Sequence, residues 1–204
     1  MARARLDTAA VVDAAAALAD AEGLQALTLS RLAAELGVRS PSLYAHVGGL
    51  EDLRRRLGAR GARELAAVLS HAAAGRAGSD ALAAVAHAYL AYGREHPGSY
   101  AAAQRARDLH GDEDALAAAG AVTDVVLAVL RGYDLHDDDA VHAARVIRVA
   151  LHGFVALEAE GGFAIALSLD ETFERLIATL DRGLRMPATA SAAPAAPKKR
   201  NRVR

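Results

Sequence analysis

Cysteine and tryptophan are both absent from the 204-residue chain. Without cysteine there are no disulfides, no thiolate metal sites and no cysteine nucleophile, which fits a reducing compartment. Aromatic residues make up only 4% of the chain, against 53% for all hydrophobic residues. A core must therefore be built mainly from Ala, Leu and Val, and with few β-branched runs that mixture favours helix. No uninterrupted apolar run reaches the ~18 residues of a membrane span. The opening MARARLD leads into an amphipathic stretch that holds acids, not into a signal-peptide core. The expectation is a cytoplasmic protein with no membrane partner. Phosphate loop, GxSxG and dinucleotide fingerprint are all missing, so neither an enzyme nor a cofactor is expected.

Charge is nearly balanced, with a formal net of −1. Its distribution is uneven. Two arginines in residues 1–5 and five basic residues in 198–204 leave an acid-rich body between basic ends. Such asymmetry permits a polyanion partner at one end only.

Helical spacing is nearly continuous and no strand-like alternation is sustained. The pattern predicts an all-α fold of about nine helices. The first starts at an Asp7–Thr8 cap and stops at Gly23. A short helix follows Thr28 and ends at Gly37. A third spans about 40–46, with Pro41 in its first turn where a missing N–H does no harm. The fourth opens after Gly48-Gly49 with Glu51 and Asp52 against its dipole and runs to about Ser70. Further helices are predicted near 80–95, 99–107, 114–131, 137–160 and 170–184. The segment from Pro187 onward is Pro/Ala-rich and reads as a disordered basic tail.

The stretch GVRSPSLYAHV, residues 37–47, joins two short helices through three or four residues, which is helix-turn-helix spacing. With Leu43 and Val47 as the buried pair, Pro41, Ser42 and Ala45 face outward and Tyr44 and His46 lie on the flanks. A small outward face suits a major groove ~12 Å wide, and the flanking side chains and Arg39 can reach phosphates. Spacing alone leaves open a tight helical corner in which Tyr44 packs sideways.

Residues 8–53, TAAVVDAAAALADAEGLQALTLSRLAAELGVRSPSLYAHVGGLEDL, closely resemble the N-terminal domain of TetR/AcrR-family transcriptional regulators. The TLSRLAAELGV helix, the SPSLYAHV recognition helix and the GGLEDL start of the next helix carry the likeness in order. The resemblance implies DNA contacts from Arg39, Ser40, Pro41, Ser42, Tyr44 and His46, with Thr28 and the start of its helix on the phosphate backbone. One departure stands out: the family usually has Lys where this chain has Leu50, leaving backbone N–H groups near Gly49 and Leu50 to meet a phosphate.

The segment RVALHGFVALEAEGGF, 148–163, and ETFERLIATLDRGL after it resemble the C-terminal domain of a branch of that family named for a Trp-His-Gly motif. His152-Gly153 is present; the Trp has no counterpart. The implied organisation is a DNA-binding domain over 1–50, a helical ligand-binding and dimerisation domain over 51–186, and a tail over 187–204. Apolar residues Val146, Val149, Ala150, Val155 and Leu157, then Phe173, Leu176, Ile177 and Leu180, exceed what one buried face needs. A homodimer or a larger monomer core would account for them. A dimer reads a palindrome through two recognition helices one turn apart.

The remaining aromatics are candidate ligand contacts: Tyr89, Tyr92, Tyr100 and Phe154, with His87, Arg105 and His152 as polar anchors. The alternative makes the tyrosines core residues and His152 a satisfied core histidine. Metal ligation is not expected, because neither His87 and His96 nor His142 and His152 share a helix face and no HxxxH pair exists. The reading is a ligand-responsive regulator, a repressor released from operator DNA by a small molecule. Its alternatives are a helical interaction protein and a metal-responsive regulator.

Overall fold

In the computed structural model, residues 6–105 and 113–186 are described; Arg3, Arg5, Arg107 and the basic tail lie outside them. Nine α-helices form among the described residues: α1 Thr8–Glu22, α2 Leu29–Glu35, α3 Ser40–Leu43, α4 Leu50–Ala73, α5 Gly78–Glu95, α6 Pro97–Arg105, α7 Glu113–Leu130, α8 Asp137–Ala159 and α9 Leu169–Leu184. Short 3₁₀ turns at Leu24–Ala26 and Arg131–Tyr133 follow α1 and α7.

Local chemistry sets the boundaries. Asp7 accepts from the Ala10 N–H at 2.8 Å, Thr28 from Arg31 at 3.1 Å and Ser168 from Glu171 at 3.2 Å, so α1, α2 and α9 each open on a side-chain cap. Gly37 ends the α2 turn at φ 64°, a conformation that a side chain disfavours. The helix expected over 40–46 is shorter than predicted. After Leu43 the chain tightens into i→i+3 bonds, Tyr44 N to Pro41 O and His46 N to Leu43 O. The two following glycines offer nothing to extend it.

Two cores share one long helix. Val11, Ala15, Leu27, Leu32, Leu43 and Val47 bury together with Leu53 and Leu57 from the first turns of α4. Further along, Leu65, Ala66 and Leu69 of α4 join the larger core of α5, α7, α8 and α9. The domain boundary expected at 50/51 thus falls at the start of a helix that serves both sides. Between the cores, small residues let backbones close. A Cβ on Gly98 would lie 2.2 Å from the Ala19 backbone, and one on Gly61 would lie 2.6 Å from Ser99 O. At this junction Asp20 of α1 accepts from the backbone N–H of Ser99 at 2.7 Å and from its hydroxyl at 3.1 Å, with His96 Nδ1 3.2 Å away.

Helix α7 with the turn that follows it, and α8 by itself, reach the length and mean hydropathy of a membrane span, 1.6 and 1.4. That composition was not anticipated, because scattered charges interrupt the apolar runs. In the fold the two helices pack on each other, α7 also along α4 and α8 along α5.

Candidate nucleic-acid interface and internal cavity

Leu43 and Val47 are buried as the helix-turn-helix phasing requires, while Tyr44 is 62% exposed. Arg39, Pro41, Ser42 and Ala45 are exposed with it; Ser40 and His46 are half-buried. The short α3 therefore projects a small polar face with a tyrosine on its flank. It is held from behind: the Thr8 hydroxyl donates to His46 O at 3.2 Å, and Val38 N to Ala33 O closes the turn at 3.0 Å. Thr28 is exposed at the α2 cap. Arg31, which follows it, is engaged by Glu22 at 2.5 Å and Glu35 at 3.1 Å. These bonds, the Glu22 bond foremost, raise its pKa.

At the start of α4, Leu50 packs half-buried against the N-terminal core. Asp52 accepts from the Gly48 N–H at 2.8 Å and pairs with Arg55 and Arg56. Burial pushes the Asp52 pKa up, but the Gly48 N–H and then Arg56 outweigh it and hold the carboxyl below its usual range. This helix start presents N–H groups between carboxylates, with no lysine to draw in a phosphate.

In the C-terminal half, a cavity of about 290 Å³ opens between α4, α5, α7 and α8, with Gln104 of α6 at its edge. The seven residues expected to contact a ligand do not share it; Tyr89 alone of them lines it. The Tyr89 hydroxyl lies 2.9 Å from that of Tyr100, which lies 2.6 Å from His152 Nδ1, so these three form a polar chain that starts at the wall and ends at the half-buried His152. Tyr92 points elsewhere, its hydroxyl donating to Gly61 O at 3.1 Å. Burial, then the Glu64 charge, raises its pKa. Phe154 packs on Phe163 and Phe173 in the core. His87 is half-exposed, edge-on to Phe173 and 3.1 Å from Glu174. Arg105 is exposed at the end of α6. The wall is made instead by aliphatic residues such as Leu65, Val122, Val126 and Ile147, with Arg145 and Arg148. Those arginines carry a signal visible in the chain: they stand one turn apart with no acid three or four residues away on either side.

The N-terminal geometry has direct counterparts. Residues 11–57 match the description "Bacterial regulatory proteins, tetR family", and residues 82–180 match "Tetracyclin repressor-like, C-terminal domain". A curated relative, the HTH-type transcriptional regulator Rv0681 of Mycobacterium tuberculosis, is 39% identical over 91% of this chain and 85% of its own length. The chain belongs to the TetR family. The regulator's fold matches a protein of unknown function from Rhodococcus sp. RHA1 with a TM-score of 0.74 at 25% identity, over 88% of this chain and 95% of that one. It also matches a TetR variant from Acinetobacter baumannii AYE solved with minocycline, with a TM-score of 0.65 at 22% identity, over 88% and 96% of the two chains. The TetR family consists of DNA-binding transcriptional regulators, and α3 lies within the matched N-terminal region.

Proposed function

We propose that the regulator is a cytoplasmic homodimeric repressor that leaves a palindromic operator when a small molecule occupies its C-terminal half. The observation that carries the DNA reading is the exposed Tyr44 beside the buried Leu43–Val47 pair. Such a helix enters a major groove while its partner helices stay in the core. Arg39, Ser40, Pro41, Ser42, Tyr44 and His46 are the proposed contact residues, with Thr28 at the phosphate backbone.

The dimer reading is supported by α8. Val155, Phe173, Ile177 and Leu180 are buried within one chain, yet Val146, Val149 and Leu157 stand exposed. They recur at helical spacing with Gly153, beside which there is open space. A helix apolar on two sides suits a second copy packed on its outer face. The cavity lined by Tyr89 is the proposed effector site, and the structural neighbour's complex with minocycline supports a small-molecule occupant. The effector lowers operator affinity only by binding one spacing of the two reading heads better than the other.

Fluorescence anisotropy with labelled DNA from upstream of the regulator's own gene tests the reading. Wild type should bind one sequence selectively. Tyr44→Ala should lose about tenfold or more, a direct contact being worth on the order of 1–3 kcal/mol. Weak, sequence-blind binding insensitive to Tyr44 would refute it.

A further inference from the structure

The charged groups of the α4–α8 cavity are both cationic, beside the neutral polar groups of Tyr89, Gln104 and Thr123. Arg145 and Arg148 of α8 line it, both exposed at its mouth, while Leu65, Val85, Ile147 and Leu151 form its buried apolar wall. No acid lines this cavity, and several arginines elsewhere, Arg31, Arg60 and Arg94 among them, pair with acids. Among the described residues neither Arg145 nor Arg148 does, and Arg148 donates to the neutral Gln104 at 3.3 Å. Two unneutralised guanidinium groups at the rim of an aliphatic cavity complement an apolar body with an anionic head. A neutral ligand would leave both cations to water and gain nothing from them, and a cationic one would be repelled.

The geometry points to an amphipathic carboxylate as the effector class. Its hydrocarbon part lies against the α4 and α7 leucines and valines, and its carboxylate sits at the α8 rim. There the planar guanidinium fork accommodates two oxygens at once. This assignment rests on the proposal that the cavity is the effector site.

Isothermal titration of the full chain with octanoate, octan-1-ol and octylamine separates the two ideas, because these probes share a chain and differ in head group. Octanoate should bind about tenfold or more tighter than octan-1-ol, and octylamine most weakly, since a charge-assisted contact is worth that much or more. Arg145→Gln/Arg148→Gln should bring octanoate down to the octan-1-ol level and leave octan-1-ol unchanged. Equal binding of octanoate and octan-1-ol to wild type, or an octanoate advantage that survives the double variant, overturns the carboxylate assignment and leaves an apolar effector site. No binding by any probe, or octanoate binding unaffected by Val126→Trp, overturns the cavity reading itself.

Discussion

At position 50 a leucine stands half-buried where the resemblance to the family implies a lysine, and the next two residues are acids. The α4 start therefore offers a phosphate its N–H groups but no side-chain cation. Leu50→Lys should strengthen DNA binding several-fold at low salt. It should also steepen the dependence of log K on log salt by about 1.8 for the proposed dimer, ~0.9 for the phosphate contact each copy adds; titrations at two salt concentrations read both. Asp181 gives a second test at this scale. It accepts from the Tyr133 hydroxyl at 2.6 Å and from Arg185 Nε at 3.2 Å. These bonds, the Arg185 bond first, hold its pKa at about 2. A carboxyl depressed in the folded state stabilises fully above its unfolded pKa of ~3.9 and loses that contribution as pH falls through the folded value. The stability advantage of wild type over Asp181→Asn should thus be constant near neutrality and shrink between pH ~4 and ~2, as denaturant titrations at stepped pH would record.

Among the elements, α6 is the one with least room. Its first turn meets α1 through Gly98, and Asp20 holds the Ser99 backbone and hydroxyl there. Gly98→Ala should destabilise by on the order of 1–3 kcal/mol, because the intruding methyl meets backbone and cannot be absorbed by a rotamer change; thermal unfolding measures it. No local pattern announces that contact. Helix starts were legible because caps at Asp7 and Thr28 and the prolines act within a few residues of sequence. The depth of the α3 turn was less so: its tightening after Leu43 depends on the Gly48-Gly49 bend and on the Thr8 hydroxyl, 38 residues away. The cavity was least legible. Its wall comes from five helices and is aliphatic, so it looks like any core in a chain this rich in Leu, Val and Ala. The scarce aromatics drew attention to Tyr92 and Phe154, which turned out to serve α4 contact and core packing.

For the whole molecule, the proposed dimer turns on the outer face of α8. Val149 is 73% exposed in the single chain. If a second copy covers it, Val149→Glu places an unpaired charge at the interface twice over. The dimer should then weaken by about a hundredfold, with operator binding lost in parallel while the single chain's fold persists. Sedimentation equilibrium together with circular dichroism would distinguish this from a monomer unaffected by the change. The shared helix α4 bears on a different use of the protein. A chimera that grafts this reading head onto a foreign sensor, cut at the apparent domain edge before Leu50, would strip Leu53 and Leu57 from the head's core. A seam beyond Leu57 and before Leu65 would keep Leu53 and Leu57 in the head, whose core still lacks Ala102 of α6 and whose α1 loses its docking partner at Gly98. The transferable unit is therefore the head, two turns of α4 and a surface that replaces the α6 face, and fusions that supply all three are the ones that should fold.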